Sequence, residues 1–163
     1  MDRCVQETLT EAEHAEACGF SGFFFGEHHQ DKDGFLPSPL VVAAAAAART
    51  STIEIGTSVI LLPLHHPIRV AEDLATLDAI AGGRARLGVG LGYQPADFDM
   101  FGIDASKRVE IFEECMAVLR HCFSGERFSY TGKHYQVENV RMTPRPIAQP
   151  TPIWIGAWAP QAV

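Results

Sequence analysis

The stretch Phe20-Ser21-Gly22-Phe23-Phe24-Phe25-Gly26-Glu27-His28-His29 decides how the rest of the chain is read. Its apolar part is short, aromatic and bounded by glycines, the pattern of a buried strand rather than a helix. An acid and two imidazoles follow where that strand leaves the core. Ionisable groups at such a place must be solvated or paired. In parallel α/β proteins, ligands bind at the carboxyl ends of strands. The triplet Glu27-His28-His29 is therefore the first place to look for chemistry.

Outward from this strand the elements alternate. Val5, Leu9, Ala12 and Ala15 recur at helical spacing before it, and Gly19 is a natural helix stop. After it, Gln30 to Pro37 reads as a polar loop. Ser38-Pro39 opens an Ala-rich helix, with Ser38 as N-cap and Pro39 at the first helical position. Ile53 to Leu62 reads as one strand closed by Pro63. Pro67 starts a helix with Val70, Leu74, Leu77 and Ala81 on its apolar face, ended by Gly82-Gly83. Arg84 to Gly90 is a third strand, and Gly92 to Asp104 reads as a long loop. A further helix carries Val109, Phe112, Met116, Leu119 and Phe123 on one face. Phe128 to Val137 reads as a hairpin turning at Gly132. Thr143 to Pro152 is an extended linker, and Pro152 to Gly156 a last strand.

This alternation predicts a parallel sheet covered by helices. The strands ending at Glu27, Ser58, Gly90 and Gly156 should be neighbours in chain order, with their carboxyl ends on one side. Phe23, Phe25, Ile55, Ile60, Val89 and Trp154 are candidates for the inner face, depending on register.

Composition narrows the function classes. The chain has 163 residues, 47% of them hydrophobic, enough for one domain with a sizeable core. No apolar run is long enough to span a membrane, and Met1 to Glu7 does not read as a signal region. Cys4, Cys18, Cys115 and Cys122 form no CxxC pair and suit reduced packing residues in a cytoplasmic protein. A net charge of −7 without a basic cluster argues against a nucleic-acid partner.

Among the chemical candidates His28 comes first, because an imidazole exchanges protons near neutrality. Side chains alternate along a strand, so His28 and His29 cannot both face one ligand. We expect His28 to point into the open end. Neither His28-His29 nor His65-His66 has the spacing of a helical zinc motif. Thr57-Ser58-Val59 ends the second strand at an equivalent place. It is either an ordinary buried strand end or a surface on which a flat ligand lies. Gly88-Val89-Gly90-Leu91-Gly92-Tyr93 ends the third strand with the spacing GxGxG rather than GxGxxG, and no helix is expected after it, so a dinucleotide fingerprint is rejected. A ligand laid against the glycines, or tight packing, remains.

These segments, in this order, resemble the bacterial luciferase-like flavin monooxygenase family. The matching stretches run from Gly19-Phe20 through Glu27-His28-His29, Arg49-Thr50-Ser51, Ile55-Gly56-Thr57 to Leu62-Pro63, and His66-Pro67. They continue through Glu72-Asp73, Leu77-Asp78, Gly82-Gly83-Arg84, Gly88-Val89-Gly90, Asp97-Phe98, Phe101-Gly102, the Tyr130 to Tyr135 hairpin, Pro144-Arg145-Pro146 and Pro152 to Gly156.

The resemblance implies an α/β fold, a partial (β/α)₈ barrel of about half the usual ~250 residues. Residues 1–163 would form a single domain holding family strands 2–5, with strand 1 and strands 6–8 absent. It implies a monooxygenase that oxidises a small organic substrate with O₂ and reduced FMN, the reduced flavin being supplied by a flavin reductase. A deazaflavin-dependent oxidoreductase on the same scaffold is one alternative, and a non-catalytic flavin-binding or structural half-barrel another. By position, His28 with Glu27 would be catalytic, His28 assisting proton transfer at the flavin. Thr57, Ser58, Val59, Gly90, Leu91, Gly92 and Tyr93 would bind the cofactor, with a non-proline cis peptide at Ser58-Val59. Family members often carry an arginine for the flavin phosphate where Leu91 stands, so weak FMN binding is expected. Exposed strand edges predict a homo-oligomer.

Overall fold

The computed structural model describes residues 2–30, 32 and 36–157, so the Gln30 to Pro37 loop lies partly outside the described residues. Helix α1 (Asp2–Ala17) leads into β1 (Gly22–Phe25), followed by α2 (Pro39–Arg49), β2 (Glu54–Thr57) and β3 (Ile60–Leu61). Then come α3 (Pro67–Ala81), β4 (Ala85–Gly90), α4 (Pro95–Met100) and α5 (Arg108–Ser124). The hairpin β5 (Phe128–Thr131) and β6 (Gln136–Val140) precedes β7 (Ile153–Gly156).

Strands β1, β2, β4 and β7 lie side by side in that order, all parallel, as the alternation predicts. Chain punctuation explains the helix ends. Gly19 and Gly82 take the left-handed conformation with φ of 82° and 64°, which glycine adopts at little cost. Pro39 and Pro67 occupy first-turn positions. Ser38 sits at the N-cap of α2, but its side chain makes no capping bond. The other end of α2 is capped from a distance, where Arg84 Nη2 donates to the carbonyls of Ala47 (3.2 Å) and Thr50 (3.0 Å).

Three carboxylates tie separate elements together through backbone N–H groups. The Glu16 carboxylate at the end of α1 accepts from the backbone N–H of Ser51, Thr52 and Ile53, at 2.9, 2.6 and 3.0 Å. These bonds hold its carboxyl down to about 2. Asp78 on α3 is buried. Its Oδ1 accepts from Ala85 N (3.0 Å), and its Oδ2 from Ile147 N (2.6 Å) and Ala148 N (3.1 Å). It thereby ties the start of β4 to the linker before β7. On α5, Glu114 accepts from the N–H groups of Lys133, His134 and Tyr135 and fixes the hairpin turn.

Four expectations are corrected. The second strand is not continuous. It breaks at Ser58-Val59, and both pieces pair with β4: Gly56 lies opposite Arg86, but Ile60 opposite Val89. Four steps on one side match three on the other, so the break inserts one extra residue. The inner face also differs. Phe25, Ile55, Leu87 and Val89 are buried against the helices, with Phe23 and Ile60 on that side. By alternation Phe24, Glu54, Arg86 and Trp154 face the other way, with Gly56, Gly88 and Gly90 among them. Of the residues expected inside, only Trp154 is there. Third, Gly92 to Asp104 is not all loop. Pro95 starts the short helix α4, which buries Phe98. Fourth, Val109 on α5 is exposed. The buried face is Ile111, Phe112, Cys115, Met116, Val118, Leu119, Cys122 and Phe123.

Candidate functional site

The exit of β1, the β2–β3 corner and the exit of β4 meet at one end of the sheet. Two backbone bonds join the first two. Ser58 N donates to Phe25 O (2.8 Å), and Glu27 N donates to Val59 O (3.1 Å). The Ser58-Val59 peptide is cis, as the resemblance implies.

Glu27 is buried, with 5% of its surface exposed. Its Oε1 accepts from His65 Nε2 (2.7 Å) and His29 Nε2 (3.0 Å), and its Oε2 from Leu61 N (2.5 Å). Burial pushes this carboxyl up. The hydrogen bond and charge of His65, the Leu61 N–H and the charge of His29 outweigh burial and leave it below its ordinary value. An ionised carboxylate can only accept, so both rings present a protonated Nε2 to it.

His28 and His29 diverge, as alternation requires. His29 is buried in the Glu27 network, with its ring 5.1 Å from that of Phe101. His28 is exposed, and its backbone N–H donates to Leu36 O. A Cβ on Gly26 would lie 3.5 Å from His28 Nε2 and 3.6 Å from the Ser58 carbonyl oxygen. The glycine thus leaves the imidazole and the corner close together.

The glycines of β4 serve close packing. A Cβ on Gly88 would sit 2.1 Å from Thr57 O, and one on Gly90 2.6 Å from Val59 Cγ2. One on Gly92 would sit 3.1 Å from the Phe98 ring. The Val59 side chain is seated between Gly90 and Gly156, while Ser58 is exposed. Thr57 lies beneath, fully buried, its hydroxyl donating to Gly88 O (2.7 Å) and accepting from Gly88 N (3.1 Å). Leu91 packs partly on the core, and Tyr93 is 83% exposed. The structure therefore brings Glu27, His28, Ser58, Val59 and Gly90 together. It puts Thr57 below them and gives Leu91 to the core.

Sequence reading missed His65 as a partner of Glu27. The two are 38 positions apart, and only the strand pairing brings them together. The available signal was an imidazole at the end of the second strand, the same relative place as Glu27 on the first.

A site at the carboxyl ends of parallel strands with helices outside is that of a partial (β/α)₈ barrel, here with a small β-hairpin added. The chain belongs to the luciferase-like monooxygenase family, whose model matches residues 4–163. The structure is similar to monooxygenase RslO1 from Streptomyces bottropensis, with a TM-score of 0.89 and 32% identity, over 93% of this chain and 46% of that one. It is also similar to the FMN complex of the oxygenating constituent of 3,6-diketocamphane monooxygenase from Pseudomonas putida. That match has a TM-score of 0.79 and 23% identity, over 93% and 46% of the two chains, and speaks to the fold alone. A third match is the coenzyme F420-dependent tetrahydromethanopterin reductase of Methanopyrus kandleri, with a TM-score of 0.79 and 25% identity, over 97% and 48%. The chain spans about half the length of the curated relatives it matches.

Proposed function

We propose that this chain forms the flavin-facing part of a monooxygenase that uses reduced FMN and O₂ to oxidise a small organic substrate. One observation carries the reading. The His28 ring and the Ser58 carbonyl oxygen flank Gly26 at the strand mouth, and the neighbouring Val59 side chain is turned into Gly90 and Gly156. That leaves a flat backbone surface next to a proton-exchanging group, which suits an isoalloxazine. The segment Gly90 to Tyr93 lies at the end of the adjacent strand and would continue the wall.

Bound reduced flavin supplies the electrons and the oxygen chemistry. The chain's own part is to present Ser58-Val59 to the ring and to hold or move a proton at His28. Leu91 gives the phosphate no charge, so affinity is low and a reductase delivers the cofactor as reduced flavin. Titrating the protein with FMN, followed by flavin fluorescence, tests the reading. Saturable binding that disappears on substituting the corner at Ser58-Val59 supports it. No binding at millimolar FMN overturns it and favours a non-catalytic half-barrel.

The match to an F420-dependent reductase favours a second reading, hydride transfer with a deazaflavin on the same wall. Parallel titration with F420 separates the two. O₂-dependent substrate oxidation with reduced FMN supports the first, and O₂-independent hydride transfer from reduced F420 the second.

A further inference from the structure

Glu27 is a buried carboxylate at the strand mouth, and its side chain is spent inward. No lysine or arginine is bonded to it among the described residues. Its partners are two imidazoles and one backbone N–H. These three come from different parts of the chain: His29 from the β1 exit, Leu61 from β3 and His65 from the turn before α3.

We infer that Glu27 and His65 form a positioning pair that locks the Ser58–Leu61 corner to the loop carrying His28; the catalytic part of this role rests on the function proposed above. The geometry gives each bond a separate task. Glu27 Oε2 holds Leu61 N, two residues beyond Val59 at the far end of the corner. Glu27 Oε1 holds the ring of His29, the immediate neighbour of His28. The backbone N–H of Glu27 holds Val59 O on the other side of the same corner. The first two restraints depend on where the Glu27 carboxylate sits, and its shortest imidazole contact is with His65.

His65 is itself anchored on three sides. Its N–H donates to Leu62 O (3.1 Å), and its carbonyl accepts from Tyr135 Oη (3.3 Å) and from Cys115 Sγ (3.9 Å). The groups facing the pair are therefore His29 from the β1 exit, Cys115 from α5, Tyr135 from the hairpin and Asp73 from α3, whose carboxyl His65 influences. The ring of His65 brings a donor from a fixed backbone to a carboxylate whose other side-chain donor among the described residues is His29. In a buried setting, losing such a charge-assisted donor leaves the carboxylate under-satisfied. The carboxylate then protonates or moves, and the corner moves with it.

The test uses the chain of 163 residues with ¹³C-labelled glutamate carboxyls, in the wild type, His65→Ala and His65→Gln. In the wild type the Glu27 signal should titrate below 4.5, the ordinary value for Glu. In His65→Ala its midpoint should rise by about one pH unit or more, and the Leu61 amide should exchange with solvent ~10-fold faster. His65→Gln, whose amide still donates, should recover most of both. In the assembled enzyme His65→Ala should lower kcat with little change in KM, and move the acidic limb of the pH profile upward by the same amount as the NMR midpoint.

Glu27 titrating at its ordinary value in the wild type overturns the pair, as does a Leu61 amide unmoved by His65→Ala. The wild-type titration decides the matter even if His65→Ala fails to fold. The NMR and exchange measurements need no flavin. If they succeed while FMN does not bind, the flavin reading fails and the structural lock stands. If they fail while FMN binds, only the lock falls.

Discussion

The ring of Phe24 on β1 meets the indole of Trp154 on β7 edge to face, with centroids 5.0 Å apart. Two strands, β2 and β4, lie between them. At a strand spacing of roughly 4.8 Å the two backbones are about 14 Å apart. The rings meet because the intervening positions opposite each of them are Gly56 and Gly88. The sheet is drawn so close there that a Cβ on Gly56 would lie 1.8 Å from Arg86 O.

Gly56→Ala and Gly88→Ala should therefore each destabilise the chain by about 1–3 kcal/mol or more, since backbone rather than a flexible side chain must move. Chemical denaturation of each variant checks this. Midpoints equal to wild type would mean that the strands part easily.

His28→Ala should slow turnover by ~10²–10⁴ while leaving FMN affinity nearly unchanged. The comparison needs single-turnover rates and a fluorescence titration on the same preparation. Equal losses of both would make His28 a binding residue rather than a proton-transfer group.

Leu91→Arg should tighten FMN binding and help the chain retain cofactor through gel filtration. A guanidinium makes charge-assisted bonds to phosphate that leucine cannot. Its aliphatic stem can keep part of the leucine's packing on the core. Stoichiometric FMN already retained by the wild type would show that other groups hold the phosphate.

Acid should weaken the join between α1 and β2. The Glu16 carboxyl is held down to about 2, so its contribution is fully present above the ordinary Glu value of 4.5. It is lost as pH falls from there through about 2, because the unfolded chain takes up the proton first. Glu16→Gln should lose stability at pH 6 and show a shallower decline in acid. Parallel decline curves for the two proteins would refute the assignment.

The chain should self-associate at micromolar concentration. Trp154 and Ile155 are 44% and 51% exposed on β7, an outer strand of the described sheet. Such a strand offers unpaired backbone groups beside apolar side chains. Light scattering checks this, with a stable monomer as the contrary result.

Strand existence and direction were legible because each apolar run is bounded by glycine, proline or charge. The punctuation at Gly26-Glu27, Pro63 and Gly82-Gly83 marked ends that the structure keeps. Facing was not legible in Phe23-Phe24-Phe25, since three consecutive aromatics fit either phase of alternation. Burial under α1 and α2 chooses that phase. Helix α4 escaped notice because six residues carry too little periodicity, although Pro95 stands at its first turn. Within the site, the His28 and His29 divergence followed from strand geometry. The Glu27–His65 bond could not be seen, because it exists only once β1, β3 and the turn before α3 are assembled.

The extra residue at Ser58-Val59 also sets the phase of everything after it. Before it, odd-numbered Ile55 and Thr57 face the helices; after it, even-numbered Ile60 does so, opposite Val89. Removing one residue here would turn Ile60 and Leu61 over and present the wrong alternation to β4. The corner is thus fixed in length by the pairing on both sides of it. Homologous sequences aligned through it should keep its residue count even where the spelling changes.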